Sequence, residues 1–179
     1  LDKLTSKEIY IALITSKSST PTSQIYFQNL FVDENLNWSE IYILPRTITI
    51  NTYLRNFQYK ILNNILFLNK KLFLFRKKKS SLCTFCRNAD ETILHLFFHC
   101  NSTKNLWQFL KVFFRQSIKL PNLTPQTPIF GFLDILEDKN LIIHILLIFK
   151  LFIYKSREQS SIRRISLINE IIKTKNIEY

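Results

Sequence analysis

All three cysteines and two of the three histidines of this 179-residue chain fall between positions 83 and 100. They read Cys83-Thr84-Phe85-Cys86, eight residues, His95, four residues, Cys100. Thiolate and imidazole are the donors a tetrahedral zinc ion prefers. Two residues between Cys83 and Cys86 let the chain curl and offer both sulfurs to one ion. His95 and Cys100 would close the site from a second element, a short helix opening near Asp90 or Glu91. His99 competes with His95, because residues four apart share one helical face. Four protein donors leave no open position for water, so the site reads as structural. No Glu stands in an H-x-E or H-E-x-x-H arrangement, which argues against zinc hydrolases and deaminases. The competing reading is three buried free cysteines beside a core histidine.

The His95–Cys100 spacing equals that of retroviral zinc knuckles, but the eight residues before His95 are too many for that module. Leu82, Phe85, Leu94, Leu96 and Phe97 are expected to form a small core around the metal, so that binding drives local folding. Phe85 could instead be an exposed platform on which a base stacks.

Charge is the second signal. The chain has 25 Lys and Arg against 13 Asp and Glu, a formal net charge of +12. Between Glu40 and Asp90 no acidic residue occurs. In that window Arg76, Lys77, Lys78, Lys79 and Arg87 flank the first cysteine pair and are candidates for contact with nucleic-acid phosphates. Lys70, Lys71 and Arg55 extend the track. AT-rich codon drift explains a high lysine count, but not the local exclusion of Asp and Glu. A weaker basic cluster comprises Lys155, Arg157, Arg163 and Arg164.

The elements that position these groups read as mainly α-helical. A single glycine, Gly131, excludes Gly-rich phosphate loops and disfavours an all-β fold. Thr5 and Glu8 have capping-box spacing and open a helix through about Ser16. Short helices are expected at 23–32 and 37–44, with Pro45 closing the second. Thr47–Asn51 alternates like an extended piece. A helix over 52–68 would bury Tyr53, Phe57, Ile61, Ile65 and Leu66. Further helix is expected at 70–75, around 106–114, at 140–157 and at 160–174, with a charged loop at 76–81. Trp107 shares its helix with Leu106, Leu110 and Phe114 and reads as a core anchor. Pro121, Pro125 and Pro128 mark 120–129 as a linker or long surface loop. The Leu141–Tyr154 run is shorter than the roughly 20 apolar residues a bilayer needs, so it reads as a buried helix. Three segments follow: a helical lead-in at 1–35, a helical segment with the zinc knuckle at 36–119, and a Pro-containing linker with a C-terminal helical pair at 120–179. The lack of Met and the start at Leu1 lead us to expect a piece of a longer polypeptide.

The run Arg55-Asn-Phe57-Gln58-Tyr59-Lys60-Ile61-Leu62, then Asn69-Lys70, Cys83-x-x-Cys86, Glu91-Thr92, His95-Leu96-Phe97-x-x-Cys100 and Leu106-Trp107 carries a family likeness. It resembles the zinc-binding region downstream of the reverse transcriptase in non-LTR (LINE-type) retrotransposons. The likeness spans roughly residues 36–160, and residues 1–35 match loosely. It implies that Cys83, Cys86, His95 and Cys100 are zinc ligands and that the region assists binding of template RNA or target DNA. It also implies an upstream reverse transcriptase domain in cis as partner, and a cytoplasmic ribonucleoprotein or the nucleus as location. The family's polymerase site does not carry over, because Asp2, Asp33, Asp90, Asp134 and Asp138 include no adjacent pair. No enzymatic activity, small-molecule substrate or membrane is expected. The alternative function is a zinc-stapled scaffold or protein-interaction segment, in a working or a decayed element.

Overall fold

The computed structural model describes residues 5–32, 36–132, 138–159 and 161–178. Leu1, Asp2, Asp33, Asp134 and residue 160 lie outside the described residues. The chain divides into two compact units, Leu1–Glu34 and Asn35–Tyr179.

The first unit holds α1 (Ser6–Lys17) and α2 (Thr22–Leu30). The expected capping box is present: Glu8 N–H donates to Thr5 Oγ1 at 3.3 Å, and Thr5 N–H donates to Glu8 Oε2 at 2.7 Å. Two orphan donors of the first turn are thereby satisfied.

The second unit is also helical, and among the described residues its only β pairing is an antiparallel bridge, Leu82 with Asp90. Its helices are α3 (Trp38–Ile48), α4 (Thr52–Leu62), α5 (Asn69–Leu74), α6 (Asn101–Phe114), α7 (Thr127–Phe130), α8 (Lys139–Ser156) and α9 (Arg164–Glu178). Asn37 caps α3 through Glu40 N–H, and Asn51 caps α4 through the N–H groups of Tyr53 and Leu54. The centre is α8, whose residues 142 to 151 are all buried. A helix that is apolar on every side is stable only when covered all round. Here α3, α4 and α9 lie against it. Trp107 of α6 is buried as expected, edge-on to Phe149 of α8 at 4.9 Å, with its indole N–H donating to Pro121 O at 3.0 Å.

Four local expectations are corrected. Pro45 does not end α3 but sits inside it, buried, and Thr47 and Ile48 continue the helix. A mid-helix proline costs about 3 kcal/mol in isolation, and here burial of its ring offsets the missing donor. Only Thr49–Asn51 is left outside the two helices. The helix from 52 stops at Leu62 instead of 68, because Asn64 adopts the left-handed conformation at φ 51°. Ile65 N–H then reaches Lys60 O and Asn64 N–H reaches Ile61 O, a Schellman closure that asparagine tolerates. Ile65, beyond this closure, is exposed, and so is Tyr53 on the solvent side of α4, while Phe57, Ile61 and Leu66 are buried. Lastly, 120–129 is a surface loop only over 121–126, where Asn122, Thr124 and Pro125 are exposed, whereas Leu120 and all of α7 are buried.

A buried lysine ties this core together. Lys150 of α8 is buried and donates to Gln58 Oε1 at 2.6 Å and to Pro128 O at 3.1 Å. Gln58 in turn donates to Ile129 O. This chain of bonds fastens α7 to α4 and α8.

Candidate metal centre

The knuckle is built by backbone geometry. Arg87 N–H donates to Cys83 O at 3.0 Å, closing a turn over residues 84–86. Arg87 is left-handed at φ 55°, which reverses the chain. Cys83 N–H then meets Ala89 O at 2.8 Å, and Glu91 N–H meets Ser81 O at 2.8 Å. Both cysteines of the pair thus sit on one tight loop.

The other half comes from a wide helical turn. Thr92 Oγ1 accepts from His95 N–H at 3.0 Å, as an N-cap does three residues ahead. The expected helix accordingly opens at Ile93, later than Asp90 or Glu91. His95–His99 forms a single π turn, closed by Cys100 N–H to His95 O at 2.7 Å. Such turns recur at functional sites. Cys100 then stands at the entrance of α6.

Together the two halves bring Cys83, Cys86, His95 and Cys100 into one cluster, with ligand atoms all within 4.8 Å of one another. Cys83 Sγ lies 3.9 Å from Cys100 Sγ, and Cys86 Sγ lies 3.2 Å from His95 Nε2. Tetrahedral zinc with Zn–S near 2.3 Å sets sulfurs about 3.8 Å apart, so the spacing fits the ion. His99 is exposed and stands outside the cluster. Its imidazole is held below the usual histidine range by partial burial and by the nearby Lys104 and His95 charges.

The surroundings of Cys83 and Cys100 shift the two thiols in opposite directions. The Cys83 thiol donates to Cys100, which holds the Cys100 pKa below the ordinary thiol range and pushes that of Cys83 above it. N–H groups of Thr103 and Ser102 in the first turn of α6 also favour the Cys100 thiolate. Bound zinc would hold both sulfurs as thiolates. Of the expected small core, Leu96 and Phe97 are fully buried, whereas Leu94 and Phe85 are half-buried and Leu82 is exposed. Phe97 also meets Phe57 of α4 edge-on, so the site's core is continuous with that of the helices.

Sequence reasoning missed the polar hub behind the knuckle. Glu91 is fully buried. Its Oε1 accepts from Asn69 N–H at 3.0 Å and pairs with Arg157 Nη2 at 2.5 Å. Its Oε2 accepts from the N–H and hydroxyl of Thr84, both at 2.8 Å. Asn69 Oδ1 accepts from Lys78 and Arg157. A carboxylate this deep requires a cation and several donors. The available signal was Glu91, quoted in the family likeness without a role, and Arg157, read only as one of a weaker basic cluster.

The basic candidates fall into two groups. Arg76, Lys77, Lys78, Lys79 and Arg87 are exposed, although Lys78 also bonds Asn69. Lys70 pairs with Asp90 at 3.2 Å, and Lys71 is half-buried. Arg55 donates to Thr49 O and to Arg46 O, so its guanidinium also braces the end of α3. In the weaker cluster Arg157 is committed to Glu91, while Lys155 and Arg164 lie over the rings of Tyr53 and Phe109.

Comparison with known proteins agrees with this geometry. A family model described as zinc-binding in reverse transcriptase matches residues 5–107. The match begins in front of α1, earlier than the likeness read from motifs, and ends within α6. No curated protein and no solved structure matches the chain. The matched span exceeds half of the chain and encloses all four clustered donors, which suit a zinc ion in type and spacing: the chain belongs to the family of zinc-binding segments found in reverse transcriptases.

Proposed function

We propose that the chain is a zinc-stabilised nucleic-acid-binding module of a LINE-type reverse transcriptase, with no catalytic site of its own. Cys83, Cys86, His95 and Cys100 hold the zinc, which supplies folding energy to the segment 81–100. The reading rests above all on one observation. Arg76, Lys77, Lys79 and Arg87 are exposed beside the knuckle, while the two nearest acids, Asp90 and Glu91, are already paired with Lys70 and Arg157. Among the described residues no ion pair neutralises those four cations. Such a surface attracts a phosphate backbone and releases counterions on contact. The partner is template RNA or target DNA, and the upstream reverse transcriptase domain in cis delivers the module to it. Its setting is a ribonucleoprotein in the cytoplasm or the nucleus.

A second reading, a scaffold without nucleic-acid contact, is favoured by the Glu91 hub, which braces the knuckle against the residue following α8. RNA binding by the zinc-loaded chain, followed from about 50 to about 200 mM salt, separates the two. The module should lose affinity with a log–log slope of roughly −0.7 to −0.9 per phosphate contact. Joint Arg76→Glu, Lys77→Glu and Lys79→Glu substitution should weaken binding while the fold persists. Unchanged binding would contradict the phosphate contact, and no retention even at low salt would favour the scaffold.

A further inference from the structure

A concave surface lies between α3 and α4. It is an open groove of about 790 Å³. Its walls include Tyr42, Arg46, Thr52, Arg55, Asn56 and Tyr59. No carboxylate lines it. Tyr59 is 54% exposed. The Arg55 guanidinium is held in place by two backbone carbonyls, those of Thr49 and Arg46. A cation fixed in this way loses little side-chain freedom when it meets an anion.

The combination is specific in its chemistry. The exposed ring of Tyr59 attracts any flat apolar ring, while Tyr42 is half-buried against Trp38. Two arginines with no acid beside them attract anions. Hydroxyl and amide groups of Thr52 and Asn56 suit sugar and base edges. A single nucleic-acid strand offers all three, in alternation: unstacked bases, phosphates and sugars. A duplex keeps its base faces covered by their neighbours and could offer only phosphates.

We infer that the α3–α4 groove binds single-stranded nucleic acid, with a base stacked on Tyr59 and the adjoining phosphate on Arg55 and Arg46. The inference rests on the nucleic-acid reading of the chain and narrows it. The basic run near the knuckle holds any phosphate backbone, and the groove adds preference for unpaired bases.

The test uses the full zinc-loaded chain, a labelled oligouridylate of about twelve nucleotides and an RNA duplex of equal length. Tyr59→Ala should weaken single-strand binding about 5- to 10-fold, the lower end of the loss for one stacked base, and leave duplex binding unchanged. Tyr59→Phe keeps the ring and should bind as the parent does. Because Tyr59 is largely exposed, folding of both variants should be intact by circular dichroism. Equal single-strand affinity in Tyr59→Ala would overturn the groove while leaving the phosphate contacts near the knuckle standing. Competition by polyglutamate as effective as by oligouridylate would overturn it too, in favour of an acidic protein segment. If the parent chain binds neither RNA at low salt, the nucleic-acid reading itself fails and the groove with it.

Discussion

The guanidinium of Arg157, just beyond the end of α8, lies against the fully buried carboxylate of Glu91, which stands between the Cys83–Cys86 pair and His95 in the zinc-binding segment. The same carboxylate accepts bonds from Thr84 inside the knuckle and from Asn69 at the start of α5. One buried charge therefore joins the metal-binding loop to the core helix. The consequence is cooperativity: the knuckle and α8 should not unfold independently.

Removing either charge should be costly. Glu91→Gln keeps the shape but leaves the mostly buried guanidinium unpaired, and Arg157→Met leaves the carboxylate unpaired. Breaking such a pair from one side costs about 3–5 kcal/mol. Urea unfolding of the zinc-loaded chain measures it, and a loss below about 1 kcal/mol in both variants would mean that water reaches the pair.

Lys150 should make stability depend on pH. Burial lowers its amine from 10.5 to about 7 in the folded chain. The unfolded chain keeps the ordinary value, so between about pH 7 and 10.5 it binds more protons than the folded one. Stability must then rise with pH across that window, by up to about 1.4 kcal/mol per unit, and be insensitive to this group below it. Lys150→Met should flatten the rise. Urea midpoints taken from pH 6 upward, within about four units, test the sign directly.

Gly131 follows α7 with φ 85° and ψ −166°, a region that essentially only glycine occupies. A Cβ there would also meet Leu44 Cδ2 at 3.4 Å. Gly131→Ala should destabilise by about 1–3 kcal/mol, read as a lower midpoint of thermal unfolding. No loss would show that the turn can relax.

At Arg76 folding and binding pull apart. Arg76 is left-handed at φ 54°, and its N–H closes α5 onto Phe73 O while Lys77 N–H reaches Leu72 O. Glycine is the preferred residue at such a closure. Arg76→Gly should raise stability by about 1 kcal/mol and at the same time reduce the salt slope of RNA binding by roughly 0.7–0.9. A stabilised variant with an unchanged slope would remove Arg76 from the phosphate contacts.

The sequence made some of this readable and hid the rest for physical reasons. Cys83, Cys86, His95 and Cys100 were legible because ligand type and spacing are local properties. So was the Thr5–Glu8 box, which spans one helical turn. The choice between His95 and His99 was not, because it depends on where a π turn aims each ring. Pro45 misled because tertiary burial overrode a local propensity. Tyr53 and Ile65 fitted the helical period, yet α4 presents Tyr53 to solvent and ends before Ile65. The role of Arg157 was hidden because its partner comes from a distant part of the chain. A count of basic residues cannot distinguish Arg157, paired with a buried carboxylate, from Arg87, open to solvent.

Zinc content of the purified chain tests the central claim most directly, measured with Cys83→Ser, His95→Ala and His99→Ala alongside. The account predicts one zinc per chain, lost in the first two variants and kept in the third. A folded parent chain without zinc, or a His99→Ala chain that loses it, would contradict the account.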